Sequence, residues 1–131
     1  MPLPRILVMD DESIIRGLLQ RVLGSSGFDV DLAENADQAR ELLRRNAYVV
    51  AILDLQMDTL DGTEGLDMIK VIRSKYPLIH VMVHTSNPNP EVRKVALQNG
   101  AAAYFQKPCS VQQIGDRIKE LLHQGPDPTA R

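Results

Sequence analysis

Five short runs rich in Val, Ile and Leu alternate along this chain with five longer runs of helical spacing, and this alternation constrains the fold more than any other feature. The short runs are Arg5 to Met9, Phe28 to Ala33, Val49 to Leu53, Ile79 to Val83 and Ala103 to Gln106. Val49 to Leu53, VVAIL, is the most apolar of them. A strand with no polar alternate is buried on both faces, which is the mark of a parallel sheet with helices on each side. Sequential strand–helix pairs with right-handed crossovers make such a sheet. The expected class is therefore α/β, a doubly wound five-stranded parallel sheet.

Local signals punctuate the helical runs. Ser13 to about Leu23 places Ile14, Ile15, Leu18, Leu19, Val22 and Leu23 on one broad face, with Gly24 and Gly27 bracketing the exit. Asn35 is an N-cap with Gln38 three residues on, predicting a second helix to about Arg45. A third helix is predicted from about Glu64 to Lys75 and is stopped by Pro77. Asn89 caps the fourth, with Pro90 at its first position and Asn99-Gly100 as its stop. Ser110 caps the last, whose apolar stripe is Ile114, Ile118, Leu121 and Leu122.

The length, 131 residues, suits one domain with a sizeable core, drawn here as residues 1–124. Residues 125–131, GPDPTAR, cannot continue a helix well and read as a tail or the start of a linker. Net charge is -2 and no run of Lys and Arg forms a nucleic-acid footprint. Direct binding of DNA or RNA by this domain is not expected. No apolar run approaches the length of a membrane span, and the start lacks a signal peptide's apolar region. Cys109 is the single cysteine, so no internal disulfide forms, which is compatible with a cytoplasmic location.

In an open parallel sheet, sites form beyond the carboxyl ends of the strands. Here the first strand ends at Asp10 and Asp11, the third at Asp54, the fourth near Thr85 and the fifth at Lys107. Carboxylates brought this close repel one another unless a cation joins them. A hard divalent ion with oxygen ligands, magnesium above all, meets that need. Asp11 and Asp54 are the expected direct ligands, with Asp10 close by and the backbone carbonyl of Gln56 as a further donor. Asp54 is then the candidate nucleophile toward a phosphoryl group, giving an acyl phosphate. Lys107 and the Thr85 hydroxyl would meet the other phosphoryl oxygens.

These residues resemble the receiver domains of two-component response regulators. The match comprises Asp10-Asp11 after the first strand, Asp54 closing the third, Asp61-Gly62 downstream, Thr85-Ser86 after the fourth, and Ala101-Ala102-Ala103-Tyr104 leading to Lys107-Pro108. It covers roughly residues 5 to 123. The resemblance implies a flavodoxin-like receiver fold with strand order 2-1-3-4-5. It implies Asp54 as phosphoacceptor, Asp10 and Asp11 as the magnesium-holding pair and Lys107 as the phosphoryl contact. Pro108 would follow a peptide bond that is usually cis. Thr85 and Tyr104 would be the switch hydroxyl and aromatic, acting on the face made by the fourth helix, fifth strand and fifth helix. Gln56 and Asn87, each two residues beyond a site residue, would modulate hydrolysis of the acyl phosphate. The implied partners are a histidine kinase or histidine phosphotransfer protein, an output domain or target protein, and a second copy on phosphorylation.

Two departures stand out. Aspartate occupies position 58, where the family usually has proline, and Asn87-Pro88-Asn89-Pro90 is proline-rich for a loop that moves on activation. They keep open an alternative, a phosphorylation-independent pseudo-receiver used for docking. A magnesium-dependent phosphatase acting on an external substrate fits poorly. Its nucleophile would close the first strand with a general acid two residues on, whereas Asp10 and Asp11 are adjacent. The expected catalysis is thus limited to self-phosphorylation and autodephosphorylation. A flavodoxin-like cofactor binder would need phosphate loops rich in Ser, Thr and Gly. His84, beside Thr85, should point to the opposite face and serve packing. Cys109 reads as a small packed residue.

Overall fold

The structure, a computed structural model, describes residues 2–55 and 64–123. Strands and helices alternate strictly: β1 (Arg5–Met9), α1 (Ser13–Ser25), β2 (Asp29–Ala33), α2 (Ala36–Arg45), β3 (Val50–Leu53), α3 (Glu64–Lys75), β4 (His80–Thr85), α4 (Pro90–Gln98), β5 (Ala103–Gln106) and α5 (Val111–His123). All strand pairs are parallel, in the order β2-β1-β3-β4-β5. The chain runs outward from β1 to β2, then crosses back to β3 on the other side of β1. The switch point therefore lies between β1 and β3, where a doubly wound sheet opens a crevice at its carboxyl edge.

The central strands β1, β3 and β4 are almost wholly buried because both of their faces are covered. On one face Leu7, Met9, Ala51, Leu53, Val81 and Val83 pack with Ala39 and Leu43 of α2, Ile69 and Ile72 of α3, and Ala96 of α4. On the other, Ile6, Val8, Val50, Ile52 and Met82 pack with Leu19 and Leu23 of α1 and Ile114, Ile118 and Leu121 of α5. The edge strands β2 and β5 are only partly covered. Truncating a fully buried core residue such as Ile72 to alanine costs about 2–5 kcal/mol.

The predicted caps form with small adjustments. Asn35 Oδ1 accepts from Gln38 N at 2.9 Å, but the Gln38 amide oxygen reaches one residue further back than a capping box requires, to Glu34 N. Asn89 Oδ1 accepts from Glu91 N and Ser110 Oγ from Gln112 N. α1 continues to Ser25, so Gly24 lies within the helix and Gly27, at φ +98°, makes the turn. β4 begins one residue later than the apolar run suggests and continues to Thr85, because its pairing with β5 extends through Thr85 and Gln106. The Lys107–Pro108 peptide is cis, as the resemblance implied.

Candidate functional site

Register places the polar residues. Met9 pairs with Leu53, so the next residues, Asp10 and Asp54, leave adjacent strands side by side. Asp10 N donates to Ala33 O and Asp54 N to Met9 O, which continues the ladder one step beyond the strands. Thr85 pairs with Gln106, and Lys107 N donates to Thr85 O at 2.7 Å. Four strand ends thus converge on one edge, as the sequence predicts.

The side chains meet around Lys107. Its Nζ donates to Asp10 Oδ2 at 2.9 Å, Glu12 Oε1 at 2.9 Å and Asp54 Oδ2 at 3.1 Å. Asp10 and Asp54 are buried, with 3 % and 5 % exposure. Asp10, Asp11, Glu12 and Asp54 each offer a carboxylate oxygen, and these oxygens lie within 4.8 Å of one another. Asp11 is exposed at the mouth.

The electrostatics follow from this crowding. Burial raises the Asp10 pKa to about 6, with the Asp54 charge adding to the rise, against the lowering effect of hydrogen bonds from Glu12 N and Lys107. Burial pulls the Lys107 ammonium down, but its hydrogen bonds to Glu12 and Asp10 and the charge of Asp54 outweigh that and hold it above its ordinary range. Four carboxylates facing one ammonium leave an excess of negative charge.

Thr85 is fully buried at the end of β4, and its Oγ1 accepts from Asn87 N at 3.1 Å. Asn87 is buried too. Its Nδ2 donates to Leu55 O at 3.2 Å and its Oδ1 accepts from Asn89 N, so it joins the loop after β4 to the chain leaving β3. Tyr104 lies half-buried against the α3–α4 side of the sheet, with Arg93 of α4 5.6 Å above its ring. Its hydroxyl is buried and has no hydrogen-bond partner among the described residues, and burial raises its pKa. His84 is 4 % exposed and shares the strand face of Met82, opposite Thr85, as strand alternation requires. Gln56, Asp58, Asp61 and Gly62, like residues 125–131, lie outside the described residues.

Two residues near the pocket were not singled out by sequence reasoning. Glu12 follows the acidic pair directly, and adjacency was its only signal. Arg16, one turn into α1, donates from Nη1 to Asp10 O at 2.8 Å and from Nη2 to Glu34 Oε1 at 3.3 Å. It ties the loop after β1 to the loop after β2, which only the parallel pairing of these strands brings within reach.

Comparison with known proteins agrees with this geometry. The family described as response regulator receiver domain matches residues 6–119. The chain is 33 % identical to the response regulator MprA of Mycobacterium sp. (strain KMS), over 96 % of this chain and 56 % of that protein. It is also 33 % identical to the transcriptional regulatory protein AruR of Pseudomonas aeruginosa, over 92 % of this chain and 50 % of that protein. It therefore spans about half the length of these curated relatives. Among solved structures, a response regulator from Thermotoga maritima superposes with a TM-score of 0.82 at 26 % identity, covering 92 % of this chain and 98 % of that one. With the family matching residues 6–119 and relatives one-third identical over more than nine-tenths of its length, the chain belongs to the response regulator receiver domains.

Proposed function

We propose that this domain is the phosphoacceptor of a two-component system, taking a phosphoryl group on Asp54 and using it to switch a protein-interaction face. The observation that carries this is the 3.1 Å contact between Lys107 Nζ and Asp54 Oδ2 inside a crevice where Asp54 is 5 % exposed. An Asp54 carboxylate oxygen attacks the phosphorus of the donor. The bond from phosphorus to the donor's leaving atom breaks and the leaving group departs with that electron pair, an imidazole nitrogen then taking a proton from water and acetate leaving as the anion. Charge neutralisation and positioning do most of the work in such a transfer. Lys107 meets one phosphoryl oxygen and the Thr85 hydroxyl, fully buried at the same edge, meets another. Attack of water at phosphorus later breaks the bond to the Asp54 oxygen, which leaves as the carboxylate, and the phosphoryl group departs as inorganic phosphate with a proton of the water released to solvent. Catalysis directed at an external substrate is not part of this function.

The donor set fits a divalent metal. Asp10, Asp11 and Asp54 would hold it, all of them hard oxygen donors whose carboxylate oxygens lie within 4.8 Å of one another in one crevice. Bound magnesium supplies positive charge to the phosphoryl oxygens during transfer. The Gln56 carbonyl is a further proposed donor.

A histidine kinase or phosphotransfer protein is the proposed source of the phosphoryl group, and Ile14, exposed two residues beyond Glu12, offers it apolar surface at the rim. The proposed readout runs through Thr85 and Tyr104 to the face of α4, β5 and α5. Half the length of the relatives lies outside this match, so an output domain or separate target is proposed to receive that signal. The test is incubation with acetyl phosphate, with and without magnesium, read by intact mass. Gain of one phosphoryl group only with magnesium, and none in Asp54→Asn, is expected. No gain in a folded sample would point instead to the pseudo-receiver that docks without phosphorylation.

A further inference from the structure

Lys107 is shared unequally by its three partners. Asp10 and Asp54 are almost completely enclosed, at 2 % and 3 % side-chain exposure, while the Glu12 side chain is 51 % exposed. The distances do not follow that difference, because Glu12 sits as close to Nζ as Asp10 does, at 2.9 Å. An ammonium carries three hydrogens. Asp10, Glu12 and Asp54 take one each, so none is left for a phosphoryl oxygen.

One carboxylate must therefore withdraw when the phosphoryl group arrives. Asp10 is fixed, since its Oδ1 accepts from Glu12 N and its carbonyl accepts from Arg16. Asp54 is the attacking group. Glu12 remains, standing immediately before α1 with no side-chain capping bond to hold it and an open path to water. Withdrawing an exposed carboxylate into solvent costs little, because exposed ion pairs contribute little.

We propose that Glu12 gates Lys107: it occupies the third ammonium hydrogen in the unphosphorylated domain and yields it to the phosphoryl oxygen on transfer. This rests on the phosphoacceptor function proposed above. Glu12 is a positioning residue, acting on the phosphoryl group through Lys107. Its carboxylate competes with the incoming anion for the ammonium, so it lowers both the rate of phosphorylation and the phosphorylated fraction at steady state.

The test follows phosphorylation of the whole chain by acetyl phosphate, with intact mass recorded over time and magnesium titrated to saturation. Wild type, Glu12→Gln, Glu12→Ala and Asp54→Asn are compared, with thermal melts to verify folding. At saturating magnesium both Glu12 variants should be phosphorylated faster than wild type, by about fivefold. The advantage should shrink as salt is raised toward about 1 M, where exposed charges are screened within a few ångströms. A merely structural effect would persist at high salt. Equal or slower phosphorylation of both variants, with wild type labelled normally, overturns the gate and leaves the phosphoacceptor function standing. A wild-type chain that takes no phosphoryl group overturns both.

Discussion

The side-chain amide of Asn87 donates to the carbonyl of Leu55 at 3.2 Å, joining the loop after β4 to the residue that follows Asp54. Both partners are buried, and the same asparagine accepts from Asn89 N to shape the turn into α4. Asn87→Ala removes the donor and strands a buried carbonyl, so a loss of about 1–3 kcal/mol is expected in urea unfolding. The loop that loses this tie also carries the backbone Asn87 N that donates to Thr85 Oγ1, so a shift of the loop should change the lifetime of the phosphorylated form as well. An unchanged unfolding midpoint together with an unchanged dephosphorylation rate would show that this bond matters to neither.

Gly100 is fixed by two independent constraints. Its φ is +114°, and a Cβ built there would lie 2.9 Å from both Cγ and Nε of Arg73, whose Nη1 is held by Pro77 O at 3.1 Å. Gly100→Ala should destabilise the domain by about 2 kcal/mol or more from backbone strain and overlap combined. Adding Arg73→Ala should relieve the overlap but not the strain, so the double variant should recover part of the loss. A double variant with the full summed loss would mean that the arginine was never in the way.

His84 sets an acid limit on stability. Burial lowers its pKa from an ordinary 6.5 to about 4, with Lys107 pushing the same way and Asp54 and Glu12 pushing against it. The unfolded chain binds a proton here as pH falls below about 6.5, while the folded chain does not until about 4. The folded-state value is depressed, so its contribution is present above 6.5 and is lost as pH falls toward 4. The loss amounts to on the order of 3 kcal/mol. Denaturant unfolding at intervals across this window should show a shallower decline for His84→Leu than for wild type. Parallel declines would exclude this histidine as the cause.

The Tyr104 hydroxyl is a buried group that meets no hydrogen-bond partner among the described residues. Tyr104→Phe keeps the ring beneath Arg93 and removes only that oxygen. Stability should hold or rise by up to about 1 kcal/mol in thermal melts. Tyr104→Ala should lose the packing against the sheet and fall by about 3 kcal/mol. A clear loss in Tyr104→Phe would reveal a partner for the hydroxyl.

The parallel sheet covered on both faces, and the convergence of the strand ends that carry Asp10, Asp54, Thr85 and Lys107, were legible in the sequence because each rests on a one-dimensional signal, whereas the strand order came only with the family resemblance. VVAIL demands burial on both faces, and in a parallel sheet the residues that follow strands collect at one edge. Glu12 was not legible as a Lys107 partner, since the two are 95 residues apart and nothing local relates them. Arg16 escaped for a related reason: a lone arginine on a helix is usually solvated, and its engagement depends on the loop after β2 lying alongside. Element ends slipped where pairing overrode composition. Thr85 joined β4 through its register with Gln106, although its side chain is polar.

Lys107 is the ammonium that faces the buried pair Asp10 and Asp54, so its removal should be costly in a way that depends on metal. In chelator at neutral pH, Lys107→Ala leaves two enclosed carboxylates facing each other, and a loss of about 3–5 kcal/mol is expected. Asp54→Asn should do the opposite, relieving repulsion and raising the melting temperature of the metal-free domain. Magnesium should then separate the variants. It should stabilise wild type by about 2.7 kcal/mol at a hundred times its dissociation constant, recover part of the loss in Lys107→Ala, and do little for Asp54→Asn. Thermal melts in chelator and across a magnesium series would read all three. If magnesium raised Asp54→Asn as much as wild type, the bound ion would not be using the Asp54 charge, and Asp10 with Asp11 would have to hold it alone.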